Sequence, residues 1–213
     1  MTTQNLKSPK NTSEARNLKA LKSKLPNLKQ LAFIGIAALG LMFSACAINT
    51  NPLTDKSKHK YRPQTRDELV QLLKDESIKL DTIDTSKITD MSFLFAVIPP
   101  YSESRKDFSG IETWDTSNVT DMNNMFSYAK TFNQPIGSWD VSNVEDMSFM
   151  FREAESFNQP LNKWNVSRVK NMLWMFRAAT SFNQPLDKWD VSKVKDMNGM
   201  FQHAESFNQP LES

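Results

Sequence analysis

Residues 114–138 read WDTSNVTDMNNMFSYAKTFNQPIGS, and residues 139–163 follow with WDVSNVEDMSFMFREAESFNQPLNK. Trp114, Trp139, Trp164 and Trp189 set a step of 25 residues, so four copies tile 114–138, 139–163, 164–188 and 189–213. All share W-[DN]-x-S-x-V-x-[DN]-M-x-x-M-F-x-x-A-x-x-F-N-Q-P-[LI], and "IDTSKITDMSFLF" (83–95) opens a worn fifth unit, 83–113, with an insertion in its second half. A fixed period of this length predicts a solenoid, because one unit is too small to bury its own apolar face and does so against its neighbours. Near-identical copies also argue for a scaffold before a catalytic centre, which needs different residues converging on one point.

Within a unit, Met122, Met125, Phe126 and Ala129 stand at i, i+3, i+4 and i+7, the stripe of a short helix. Asp121, Asp146, Asn171 and Asp196 precede that stripe as candidate helix caps. Pro135 excludes a long strand, so a short one is expected over about 136–140 and its equivalents, fed by the F-N-Q-P turn. The predicted fold class is an α/β solenoid with a short parallel strand plus a short helix per coil, rising about 4.8 Å per coil. Ahead of it, "TRDELVQLLKDES" carries the S/T-x-x-E capping pattern at Thr65 and Glu68 and an apolar face at Leu69, Val70, Leu72 and Leu73. Residues 65–82 therefore read as an N-terminal capping helix and lead-in to a repeat solenoid over 83–213.

The repeated polar residues read as structural ladders. Asn133, Asn158, Asn183 and Asn208 would lie above one another and bond along the stack, as would Ser117, Ser142, Ser167 and Ser192. The tryptophans form a further column. Met122, Met125 and their equivalents offer thioethers suited to Cu(I), but they sit on an apolar stripe with no His or Cys beside them. They read as core, so no metal and no cofactor is implied.

The net charge of +2 conceals a division, since residues 1–45 hold seven Lys/Arg and one acid. Without them, 19 basic residues face 23 acidic ones, and a chain so balanced has no general reason to seek nucleic acid. The basic excess precedes "LAFIGIAALGLMFSAC", whose apolar core Leu31–Phe43 has the layout of a secretory signal. It ends at Cys46, the only cysteine, in a context resembling a bacterial lipobox, where the thiol would carry the lipid. An uncleaved membrane anchor over Leu31–Ile48 is the alternative, and both place the repeats outside the cytoplasmic membrane. The polar stretch 46–64, which contains His59, reads as a tether.

The segments "WDTSNVTDMNNMF" and "WDVSNVEDMSFMF", each followed by "FNQP", resemble the 25-residue repeats of the BspA-like leucine-rich-repeat surface proteins. "DELVQLLKDESIKLDTIDTSKITDMSFLF" is similar to the region that opens such arrays, so the likeness spans about 65–213. It implies a leucine-rich-repeat-like stack on a bacterial surface lipoprotein, with adhesion to host or neighbouring cells as the suspected role. It carries no catalytic residue to this chain and fixes no ligand.

The chain contains no glycine-rich phosphate loop, H-E-x-x-H or G-x-S-x-G, and its two histidines are His59 and His203 in a variable repeat position. No enzymatic activity is expected. The expected function is a non-catalytic binding or adhesion module in the bacterial cell envelope, with a structural or assembly role as the alternative. Where the copies disagree, sites four and six after each tryptophan run from Asn118/Thr120 and Asn143/Glu145 to Arg168/Lys170 and Lys193/Lys195. This basic drift marks Arg168, Lys170, Lys193 and Lys195 as the candidate contact for an acidic partner, a surface protein or glycan. The last copy closes at Ser213 without an amphipathic seal, from which weak end-to-end self-association is expected.

Overall fold

The computed structural model describes residues 56–97 and 105–210; the predicted signal stretch and Cys46 lie outside them. One α-helix is present among the described residues, α1 (Arg66–Leu73). Its first turn is closed by Thr65, whose Oγ1 accepts from the Glu68 amide at 3.3 Å, while Glu68 Oε2 accepts from the Gln64 amide at 2.7 Å. Leu69 is fully buried, and Leu72 and Leu73 pack partly buried against the core. The predicted tether joins the fold at its end. Tyr61 pairs in parallel with Ile83, the Lys60 and Tyr61 amides donate to the Thr82 carbonyl, and Tyr61 accepts from the Asp84 amide.

The coils are not strand-plus-helix units, and the expected α/β solenoid is overturned. Among the described residues no coil contains an α-helix, and the only strand-like pairings are isolated parallel bridges. Four of these bridges run from Asp90 through Asp121, Asp146, Asn171 and Asp196, the last four being the positions read from sequence as helix caps. The expected strand over 136–140 is instead a single 3-10 turn, Ile136–Ser138, with the Trp139 amide turned back to the Ile136 carbonyl at 3.1 Å. Backbone donors consumed within the coil in this way are not free to pair between coils.

The apparent helix is a run of four-residue turns. The Met125 amide donates to the Met122 carbonyl at 3.2 Å and the Ala129 amide to the Phe126 carbonyl at 3.0 Å. The third residue of each turn is left-handed, Asn124 at φ 54° and Tyr128 at φ 61°, as a type II turn requires. Two such turns in tandem place their outer members, 122, 125, 126 and 129, inward, which reproduces the i, i+3, i+4, i+7 pattern of a helix. Phe149, Glu153, Trp174, Ala178 and His203 repeat the left-handed geometry in later coils, with Gly199 at φ 57°.

Left-handed backbone costs an L-residue about 1–2 kcal/mol, and the stack offsets this with hydrogen bonds between coils. The amides of Met122, Asn124, Phe126 and Tyr128 donate to the carbonyls of Asp146, Ser148, Met150 and Arg152 at 2.7–2.9 Å, and the same four bonds recur in the two coils after it. Along this ribbon the ladder is therefore directional, with amides facing the C-terminal side and carbonyls the N-terminal side. At the carbonyl end, the Arg66 guanidinium donates to the Ser92 carbonyl. At the amide end, the N–H groups of Met197, Gly199, Phe201 and His203 meet no acceptor among the described residues. Two such rows set face to face would oppose donor to donor, which constrains any end-to-end pairing.

The turn geometry reverses the expected sign of one substitution. Ala→Gly in a helix costs about 1 kcal/mol, but Ala178 sits at φ 55°. Ala178→Gly relieves the left-handed strain and loses only unfolded-state restriction, so it should raise stability by about 0.5–1 kcal/mol in urea unfolding.

Candidate binding surface

The core takes up the repeated apolar side chains. Met122, Met125, Phe126, Ala129 and Phe132, with their equivalents through Phe182, are fully buried in one cluster. The tryptophans tie coils together, since each indole Nε1 reaches back to a carbonyl more than one repeat length earlier at 3.0–3.1 Å: Trp114 to Leu80, Trp139 to Ile111, Trp164 to Ile136 and Trp189 to Leu161.

Asn133, Asn158, Asn183 and Asn208 stack in register. Each Oδ1 from Asn133 to Asn183 accepts the backbone amide of the asparagine 25 residues on at 3.0 Å. The Nε2 of Gln159, Gln184 and Gln209 donates to the same oxygens at 2.9–3.0 Å, so F-N-Q-P is a joint between coils. The serines form no such column. Ser117, Ser142, Ser167 and Ser192 donate their amides to the carboxylate or amide oxygen two residues before, at 3.0–3.2 Å, closing local Asx turns.

Asp121, Asp146, Asn171 and Asp196 also accept from the amide two residues on, at 2.8–3.1 Å. They are turn formers rather than helix caps, and in register they make a column of acids interrupted by the amide of Asn171. Partial burial, with the carboxylates of Asp146 and Asp90 on either side, raises the Asp121 carboxyl above its ordinary range against the pull of the Asn123 amide and Arg66. A raised carboxyl pKa adds stability below the unfolded value, and that gain is lost as pH rises through the folded value. In the next coil but one the chain carries Asn171, whose Nδ2 donates to Asp146 Oδ2 at 3.1 Å. Asp121→Asn keeps the turn and removes the like charge, so it should stabilise at pH 7 by about 0.2–1 kcal/mol. The advantage should shrink on acidification below the ordinary aspartate pKa, as read by urea midpoints.

The four basic candidates fall in two adjacent columns. Arg168 Nη1 donates to Asn143 Oδ1 at 2.7 Å, and Lys170 Nζ meets Glu145 Oε2 at 2.6 Å, each reaching back one coil. The Lys170 bond holds the exposed Glu145 carboxyl below its usual range. Lys193 and Lys195 are exposed, and their ammonium groups have no hydrogen bond or ion pair among the described residues. His203 lies on the left-handed row of the last coil, and the His59 ring is nearly buried with Nδ1 3.6 Å from the Asp84 carboxylate.

Two surfaces escaped the sequence reading. On the turn ribbon, Arg152 lies over the Tyr128 ring at 4.8 Å and Arg177 over Trp174 at 4.8 Å, with Phe149 edge-on to Trp174 at 5.6 Å. These side chains stand at the turn positions that the helical reading left unordered. Elsewhere, an open groove of about 650 Å³ is lined by Pro135, Gly137, Ser138, Pro160, Asn162, Lys163 and Lys188. Its signal was present as Gly137, where the next two units carry Asn162 and Asp187.

The chain matches the family described as "Mycoplasma protein of unknown function, DUF285" over residues 101–213, more than half its length and including all four full repeats. No curated protein and no solved structure matches it.

Proposed function

On the premise that this chain belongs to the DUF285 family, we propose that its repeats are a non-catalytic binding or adhesion module held at a bacterial cell surface. The single observation that carries this reading is the division of labour within each coil. Most repeated residues pack the interior or join coils, and apart from repeated positions such as Pro135, Pro160 and Asp140 the solvent meets mainly the side chains that differ from unit to unit. Among those, Lys193 and Lys195 present free cations beside the anchored Arg168 and Lys170. A rim of exposed charge speeds encounter with an acidic surface and loses that effect as salt rises. Membership of the BspA-like branch, export and a lipid anchor on Cys46 belong to the same proposal. They rest on the repeat pattern and on the apolar stretch that ends at the only cysteine.

The test is binding of the full chain, displayed on lipid vesicles, to intact cells at rising ionic strength. The Lys193→Glu/Lys195→Glu variant should bind at least tenfold more weakly at low salt, with the difference closing toward 0.5 M on the order expected from charge screening. Equal binding by both proteins at low salt removes the basic columns from the reading. Retention of labelled palmitate in Cys46→Ala removes the anchor.

A further inference from the structure

We propose that the groove lined by the ends of the first three full repeats is a binding site for an acidic saccharide. The inference rests on reading the stack as a binding module, but it concerns a different surface from the basic columns.

One residue in the groove wall permits a close approach of two coils. At position 23 after the tryptophan, later units carry side chains that interlock, Asn162 Nδ2 donating to Asp187 Oδ1 at 3.0 Å. The first full unit has Gly137, and a β-carbon there would stand 2.4 Å from the Pro160 carbonyl oxygen. The next coil's loop therefore lies directly on the glycine backbone. Beside this contact lies the open groove, and its volume of about 650 Å³ is that of small-molecule sites.

The lining selects the ligand. Lys163 and Lys188 occupy the same place in successive units, about 5 Å apart along the stack. Both are exposed, and neither ammonium group has a hydrogen bond or ion pair among the described residues. They call for an anion. Pro135 and Pro160 supply apolar ring faces, while Ser138 offers a hydroxyl and Asn162 an amide. The prolines have no amide hydrogen, so a peptide strand would find no regular backbone ladder on this wall. A hydroxylated ring bearing a carboxylate can rest on the proline faces, hydrogen-bond to the serine and asparagine, and place its charge between the lysines.

The full chain should be titrated calorimetrically with a tetrasaccharide alternating glucuronic acid and N-acetylglucosamine. Cellotetraose serves as the neutral probe and hexaglutamate as the acidic peptide. Saturable binding of the acidic sugar is expected, at least tenfold tighter than either control. It should weaken at least tenfold in Lys163→Ala/Lys188→Ala and be unchanged in Lys56→Ala/Lys58→Ala, which removes equal charge from an exposed turn outside the groove. An unchanged thermal midpoint keeps the lysine variant interpretable. Equal affinity for cellotetraose or hexaglutamate, no binding, or no effect of the groove variant overturns the inference. A groove variant that loses the sugar yet still binds cells supports the groove and leaves the cell-surface reading on the basic columns. A wild type that binds the sugar but no cells supports the groove and ends that reading.

Discussion

Phe151→Ala is expected to be among the most damaging single substitutions, lowering unfolding free energy by about 3–5 kcal/mol. The Phe151 ring is fully buried and stacks on Phe157 at 4.1 Å within its own unit, on Phe126 at 5.7 Å before it and on Phe176 at 5.4 Å after it. Removal leaves a void bounded on three sides by rings that are held by their own coils and so cannot collapse into it. Phe201 stands at the equivalent place in the last unit. It touches Phe176 at 5.7 Å and Phe207 at 4.0 Å but has no described coil beyond it, and it is only partly buried. Phe201→Ala should cost less than half as much. Urea unfolding of both variants checks this, and equal losses would mean that the stack is not stabilised coil upon coil.

That difference shows how much of the stack was legible. The 25-residue tryptophan step recurs in the bridges at Asp121, Asp146, Asn171 and Asp196, and the repeated apolar positions Met122, Met125, Phe126 and Ala129 lie in the core. The same pattern misread the backbone, because a helix and two tandem four-residue turns bury the same positions. What separates them is the sign of φ at the third turn residue, and the sequence hides it. Asn124, Gly199 and His203 are residue types enriched in left-handed backbone, while Phe149, Glu153, Trp174 and Ala178 adopt it against preference. Their amides are each bonded to the following coil, an interaction that no single unit contains. The same misreading concealed the ribbon bearing Arg152 and Trp174. Gly137 stands out in the sequence as a place where a neighbouring coil could come close, but it does not tell how closely the Pro160 carbonyl approaches it. A period does not report that distance.

The stack's direction explains why its N-terminal side requires more than an apolar lid, and it leads to the second large expected effect. Carbonyls of the first coil face that side, and α1 lies beside them with Arg66 at Ser92. The other end of α1 is fixed by Arg105, which comes from the insertion in the degenerate unit. Its guanidinium donates to the carbonyls of Leu73 at 3.2 Å, Ile78 at 2.6 Å and Asp107 at 2.7 Å, so one side chain joins helix end, lead-in and insertion. Arg105 is 8% exposed, and water cannot readily replace what it gives. Hydrogen bonds from a charged donor contribute about 1.5–3 kcal/mol each, and they are not additive when they share a group. Arg105→Ala should therefore destabilise by about 3 kcal/mol, with amide exchange rising first in α1 and the 75–80 turn. Arg105→Lys should recover less than half of the loss, because a single ammonium lacks the planar fork that reaches three carbonyls in different directions. Full rescue by lysine would show that charge alone matters at this joint. Exchange that rises uniformly through the coils, rather than first at α1, would show that the arginine does not act by fixing the cap.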